Sequence, residues 1–264
     1  MSACRSGTVP CPGRAPLPTY PRVDDREAIT LIAKRALVVQ TMSARCQVVI
    51  TKPHGRATAG GDPLLGGDSA QFDGAVAARL PDHLRLRVWK FSRPVFDVTL
   101  TPGGLWLYTS ERAGEPLPGD DAPLSGLTAE RLARAWSLAA GRLAGGDWTP
   151  VATSSDRVLR VKGRLDASEG SVVCDIDRAT LTPRLCSLRD AGNVTRMTLV
   201  LEEYRVLGDV VWPTRLVFQS DRGTVTVTLS DVAINTELAP EAFRPPRRAT
   251  QVGAATQAGT APQP

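Results

Sequence analysis

Between Val95 and Tyr108 the chain reads Val-Phe-Asp-Val-Thr-Leu-Thr-Pro-Gly-Gly-Leu-Trp-Leu-Tyr. Runs of β-branched and aromatic residues flank Pro102-Gly103-Gly104, and glycine tolerates the positive φ of a tight turn. The stretch predicts a strand, a turn and a second strand. A hairpin this apolar on both flanks needs cover, and no catalytic side chain sits inside it. It points to an antiparallel sheet that buries or binds something apolar, rather than to a reaction centre.

Period-two alternation continues along the chain. Strands are predicted over Ser43–Lys52, Gln71–Leu80 and Leu84–Phe91 before the hairpin. After it they are predicted over Asp156–Leu165, Ser171–Asp177, Pro183–Arg189, Val194–Tyr204, Pro213–Ser220 and Gly223–Ile234. Leu84, Leu86 and Val88 share one face, with Arg85 and Arg87 opposite. Val225, Val227 and Leu229 oppose Thr224, Thr226 and Thr228, and Met197, Leu199 and Leu201 repeat the pattern. The fold class is therefore α+β, mainly β: one large curved antiparallel sheet of about nine to eleven strands with unlike faces.

Two one-sided helices accompany the sheet. The first is predicted over Asp25–Thr41, with Asp24 as N-cap and Glu27 at capping-box spacing. Its stripe is Ile29, Ile32, Ala33, Ala36 and Val39. The second is predicted over Ala129–Leu143, capped by Thr128 and ended by Gly145-Gly146. Leu132, Ala135, Trp136, Ala139 and Leu143 share its apolar face. Each helix needs a surface to lie on, and the sheet offers one.

The ends differ in kind. Residues 1–22 hold Pro10, Pro12, Pro16, Pro18 and Pro21 and read as a semi-rigid tether. Residues 247–264 are largely Ala, Gly, Gln, Thr and Pro and predict a disordered tail. One domain, 23–246, remains.

Composition and motifs argue against several classes. Of the 32 basic residues 28 are arginines, but they are scattered rather than gathered into a basic helix or interleaved with aromatics, so no nucleic-acid partner is expected. No apolar run approaches the ~20 residues that span a bilayer. No phosphate-loop, nucleophile-elbow or zinc-protease motif is present. His54 and His83, the only histidines, read as solvated loop residues, and no metal or cofactor is expected. Asp175 with Asp177 and Glu202 with Glu203 are paired carboxylates of the kind that do acid–base work, but they read as a solvent-facing strand edge. Asp97 interrupts an apolar strand; it either faces water or pairs with Arg85 or Arg87 across strands.

The strand Pro81-Asp-x-Leu-Arg-Leu-Arg, the strand Gly103-Gly-Leu-Trp-Leu-Tyr, the hairpin Asp177-Arg-Ala-Thr-Leu-Thr-Pro and the closing Ile234-Asn-Thr-Glu-Leu-Ala-Pro-Glu-Ala-Phe-Arg-Pro-Pro246 occur in a recognisable order. With the helix, meander, helix, meander arrangement, the chain resembles the LolA/LolB-like superfamily of bacterial lipoprotein carriers and receptors. The resemblance covers most of residues 23–246. It implies a half-barrel lidded by helices, with an apolar cavity for acyl chains of a lipid or lipoprotein, in the cell envelope on the periplasmic side. It implies binding rather than enzymatic catalysis, with a monomer as the expected state.

The expected cavity lining is Leu84, Leu86, Val88, Phe96, Val98, Leu100, Trp136, Leu199, Leu201, Val225 and Val227, each on the apolar side of its own element. Trp89, Phe91, Trp106 and Trp212 have no assigned face and could cap a rim. A buried CH₂ contributes about 0.8 kcal/mol, so one acyl chain binds usefully without a charged anchor. The alternative is a filled core, which would make the domain an envelope scaffold or interaction protein. A sheet-borne enzyme ranks behind both.

Met1-Ser-Ala-Cys4 has the small-small-Cys ending of a bacterial lipoprotein signal, without the apolar run expected upstream. Cys4 is accordingly a candidate lipidation site and membrane anchor, with the Pro-rich stretch as its tether. Cys174 and Cys186 stand at equal distances from Thr180, so in a regular hairpin they would be opposed and could form a disulfide. Cys11 and Cys46 would pair or stay free.

Overall fold

The computed structural model describes residues 16–51, 69–110, 135–142, 148–152, 154–164, 170–221 and 223–252. A helix, α1 (Asp25–Leu37), leads into β1 (Thr41–Thr51), β2 (Ser69–Arg79), β3 (His83–Lys90), β4 (Arg93–Thr101) and β5 (Gly104–Thr109). Residues 135–139 are the described part of a second helix, α2. Then follow β6 (Thr149–Pro150), β7 (Val158–Arg164), β8 (Ser171–Asp177), β9 (Thr182–Arg189), β10 (Thr195–Leu207), β11 (Val210–Ser220) and β12 (Gly223–Ile234). A short 3₁₀ helix, Pro240–Phe243, precedes β13 (Thr250–Val252).

All thirteen strands form one sheet in the order β13-β5-β4-β3-β2-β1-β12-β11-β10-β9-β8-β7-β6. It is two meanders, β1 to β5 and β6 to β12, joined where β1 lies antiparallel to β12. The sheet is curved and open, so the expected half-barrel class is correct. The strand count is higher than the expected range because β6 and β13 are too short to show an alternating pattern. β13 also corrects the expected tail: Thr250, Gln251 and Val252 pair with Leu107, Trp106 and Leu105, which completes the backbone hydrogen bonds of β5.

α1 starts where Asp24 accepts hydrogen bonds from the backbone N–H of Arg26 and Glu27, both at 2.8 Å. It stops at Leu37, short of the expected Thr41. Asn235 is the reason. Its Oδ1 accepts from Gln40 N at 2.8 Å, its Nδ2 donates to Val38 O at 2.8 Å, and its backbone N–H donates to Thr41 O. This clasp turns the chain out of the helix and into β1. For α2, residues 135–139 agree with the expected helix, while Thr128, Ala129, Leu143, Gly145 and Gly146 lie outside the described residues.

His83 is not a solvated loop residue. It opens β3, and its ring meets Phe243 edge-on with centroids 5.3 Å apart. Arg79 lies over the same Phe243 ring. The closing Asn-Thr-x-Leu-x-x-x-x-Phe segment therefore fastens the chain across the ends of β1 to β3.

Candidate functional site: the helix-covered inner face

Strand registry assembles the inner face row by row. Ala70, Ile50, Val225, Phe218, Leu199, Cys186, Cys174 and Val161 are successively opposed across eight strands, β2 to β7 in sheet order. A neighbouring row runs Phe72, Val48, Val227, Leu216 and Leu201. On the other meander Leu84 faces Leu100, Leu86 faces Val98, and Val88 faces Phe96. The ten expected strand residues thus lie on one continuous apolar face, because directly opposed residues in a ladder point the same way.

The helices cover this face. Ala28 and Ile32 of α1 and Ala135, Trp136, Leu138 and Ala139 of α2 share one hydrophobic core with the strand residues. α2 ends against α1: a Cβ placed on Gly141 would lie 3.6 Å from Ile32 and 3.9 Å from Ala36. Arg142 donates from Nη2 to Val39 O at 2.5 Å, and burial lowers its pKa. Arg35 reaches the opposite side, donating to the backbone carbonyls of Thr180 and Leu181 in the β8–β9 turn. Both helices are therefore tied down by arginines on carbonyls, next to apolar packing.

All eleven expected lining residues are buried, with Leu86 the most exposed at 9%. In this conformation α1 and the described part of α2 cover them. The indole N–H groups of Trp136 and Trp212 are buried and without hydrogen-bond partners. A buried donor without an acceptor costs about 1–3 kcal/mol, so these two rings leave polar capacity inside an apolar interior.

The four unassigned aromatics separate cleanly. Trp212 is fully buried, Phe91 is 87% exposed at the β3–β4 turn, and Trp89 and Trp106 are half-buried. Trp212, Leu216 and Phe218 had no legible face in the sequence. Val210–Phe218 is nearly unbroken apolar sequence, with no alternation to phase. Gly74 was missed too: it sits between Cys46 and Val88 in the inner rows, where a Cβ would approach Arg87 O and Cys46 Sγ to 2.8 Å each.

Four of the carboxylates flagged in the sequence, Asp97, Asp175, Asp177 and Glu202, have structural partners. Asp97 is buried and paired with Arg85, rather than facing water. Asp175 is gripped by Arg160, with Nη2 2.7 Å from Oδ2. Asp177 accepts from the backbone and hydroxyl of Thr180 in the β8–β9 turn, and Glu202 pairs with Arg215. Among the described residues no group of three or more metal-ligating side chains converges. Cys174 and Cys186 are opposed and joined by a disulfide, buried on the inner face. Their opposition is not that of a regular hairpin; a register shift between Asp175 and Ile176 restores it above an even-numbered turn. Cys46 is free and buried. Cys4 and Cys11 lie outside the described residues.

No protein-family model matches the chain, and no curated protein sequence matches it. Solved structures do. A DUF1329 family protein from Desulfovibrio piger is 10% identical with a TM-score of 0.58, over 83% of this chain and 96% of that one. A LolA superfamily protein from Nitrosomonas europaea is 12% identical with a TM-score of 0.54, over 84% and 98%. A domain from Vibrio parahaemolyticus, described as an outer-membrane lipoprotein-sorting protein domain, is 12% identical with a TM-score of 0.51, over 83% and 97%. The chain has the LolA/LolB-like fold.

Proposed function

We propose that this protein binds acyl chains of a lipid or lipoprotein between its inner face and its helices, as a non-catalytic carrier or receptor in the bacterial cell envelope. One observation carries the reading: apolar rows run uninterrupted across the sheet, and helices rather than a second sheet cover them. A helix pair held by a few hydrogen bonds can be displaced by an alkyl chain that restores the same apolar contact. The orphan indole N–H groups of Trp136 and Trp212 would donate to an ester carbonyl. The likeness to a lipoprotein-sorting domain supports the same class of ligand.

The lining is the set Leu84, Leu86, Val88, Phe96, Val98, Leu100, Trp136, Leu199, Leu201, Val225 and Val227. Lipidation of Cys4 would hold the domain at a membrane; the mass of the N-terminal peptide from membrane-derived protein tests it.

A second reading has its own support. The lining is fully covered in this conformation, which suits a filled core and a scaffold role. A fluorescent fatty acid separates the two. Binding that is lost in Leu199→Arg and kept in Thr198→Arg, on the opposite face, is the expected result. Absence of probe binding, together with no co-purifying lipid in native mass spectrometry of envelope-derived protein, would leave the scaffold reading.

A further inference from the structure

The outer face of the first meander carries a separate cavity of about 620 Å³. Its floor is a cross-strand row: Arg87 opposes Asp97, and Asp97 opposes Tyr108. Trp89, Ser92 and Pro94 wall one side, and Arg247 and Arg248 line it from the chain beyond Pro246. That chain is held in place at both ends. Upstream, Arg85 Nη1 donates to Ala242 O, and Phe243 packs on His83. Downstream, β13 pairs with β5, and Gln251 Nε2 donates to Gly103 O at 3.0 Å. The turn between them closes with Ala249 N donating to Pro246 O.

The charge in this cavity is one-sided. Among the described residues Arg85, Arg87, Arg247 and Arg248 line it against a single carboxylate, Asp97. Asp97 is already engaged by Arg85 from two nitrogens, at 3.0 and 2.8 Å. Arg87 only approaches it, at 3.5 Å, with its side chain 62% exposed. The guanidinium of Arg87 thus keeps free donors toward the cavity. Guanidinium forks match phosphate oxygens in pairs, and several converging forks favour an anion with three oxygens over one with two. The rings of Trp89, in the wall, and Tyr108, in the floor, suit an organic group attached to that anion, and the volume falls in the range of small-molecule sites.

We propose that this cavity binds the phosphate of an organic phosphate, with Arg87 and Arg247 as its principal donors and Trp89 and Tyr108 beside the attached organic group. The site is independent of the acyl-chain reading, since the two lie on opposite faces of the sheet. The phosphate belongs either to a soluble ester or to a lipid headgroup, and two arms of one experiment distinguish them. In the first, sn-glycerol 3-phosphate is titrated calorimetrically into the full chain at low and high salt, with acetate as the carboxylate control. In the second, the protein is sedimented with phosphatidylglycerol vesicles and with phosphatidylcholine vesicles.

Arg87→Gln and Arg247→Gln both alter exposed side chains and are checked for folding by circular dichroism. Each should weaken phosphate binding about tenfold, and the double variant should abolish it, with wild-type affinity falling as salt rises. Glycerol 3-phosphate binding with no preference for phosphatidylglycerol vesicles identifies a soluble ester. Vesicle binding that requires phosphatidylglycerol and is lost in the double variant identifies a headgroup. The proposal is overturned if neither phosphate probe binds, or if the double variant binds as the wild type does, or if acetate binds equally well.

Discussion

Asp97 and Arg85 form a two-pronged ion pair one step out of direct register: Nε lies 3.0 Å from Oδ1 and Nη2 lies 2.8 Å from Oδ2. Thr99 Oγ1 also donates to Oδ1, and the C-terminal segment buries the whole group. Asp97→Leu strands a largely buried guanidinium, its side chain 14% exposed. A loss of about 3 kcal/mol is expected, since breaking one side of a buried pair costs about 3–5 kcal/mol. Arg85→Met in the same chain should recover most of it. Urea unfolding of the single and double variants measures both.

The disulfide closes a loop between residues 12 apart in sequence. Its removal by Cys174→Ala with Cys186→Ala should lower stability by about 2–4 kcal/mol. Thiol titration of denatured, unreduced protein should find at most three of the five cysteines, since two are joined. Four or five free thiols would contradict the pairing.

The Cys46 thiol is pushed up to about 12, first by burial and then by the charge of Asp73. Native protein should react with a thiol reagent at pH 8 far more slowly at Cys46 than unfolded protein does. At pH 8 an unfolded thiol, near ~8.5, is partly ionised, whereas the folded Cys46 thiol stays protonated. Its contribution to stability is therefore intact below that value and falls as pH rises toward 12. Cys46→Ala should flatten the alkaline limb of a stability–pH curve.

Gly74→Val should destabilise the sheet by about 2 kcal/mol, within the usual cost of overpacking. One of the two atoms that a Cβ would meet at 2.8 Å is the Arg87 carbonyl oxygen, which cannot swing aside as a side chain can. Thermal unfolding compared with Ala75→Val, at a half-buried neighbour, isolates the effect.

Asn235→Ala should cost about 1–2 kcal/mol. It removes the side-chain bonds to Gln40 N and Val38 O and places alanine at φ 56°. Hydrogen exchange should rise first at the α1–β1 junction.

Much of the candidate face was legible in the sequence. Leu84, Leu86 and Val88 or Val225 and Val227 announce their side by alternating with arginines or threonines. The pairing of Asp97 was one of two open readings; its burial was in neither, because the cover comes from Ala242 and its neighbours, far along the chain. The end of α1 was misplaced for a similar reason. Leu37 to Thr41 keep a helical stripe, and contacts from distant residues, Asn235 first among them, divert them.

The sequence by itself determined where eleven of the strands lie, which side is apolar wherever residues alternate, and that two one-sided helices need a surface. These are local consequences of pleat and helical pitch, and hold whatever a segment packs against. Only the tertiary structure decided that β1 joins β12, that Thr250–Val252 pairs with β5, that the helices cover the inner face, and that Arg247 lines the same cavity as Arg87. Those outcomes depend on contacts between residues far apart in sequence, where alternation sets the face a strand presents but not the neighbour it takes.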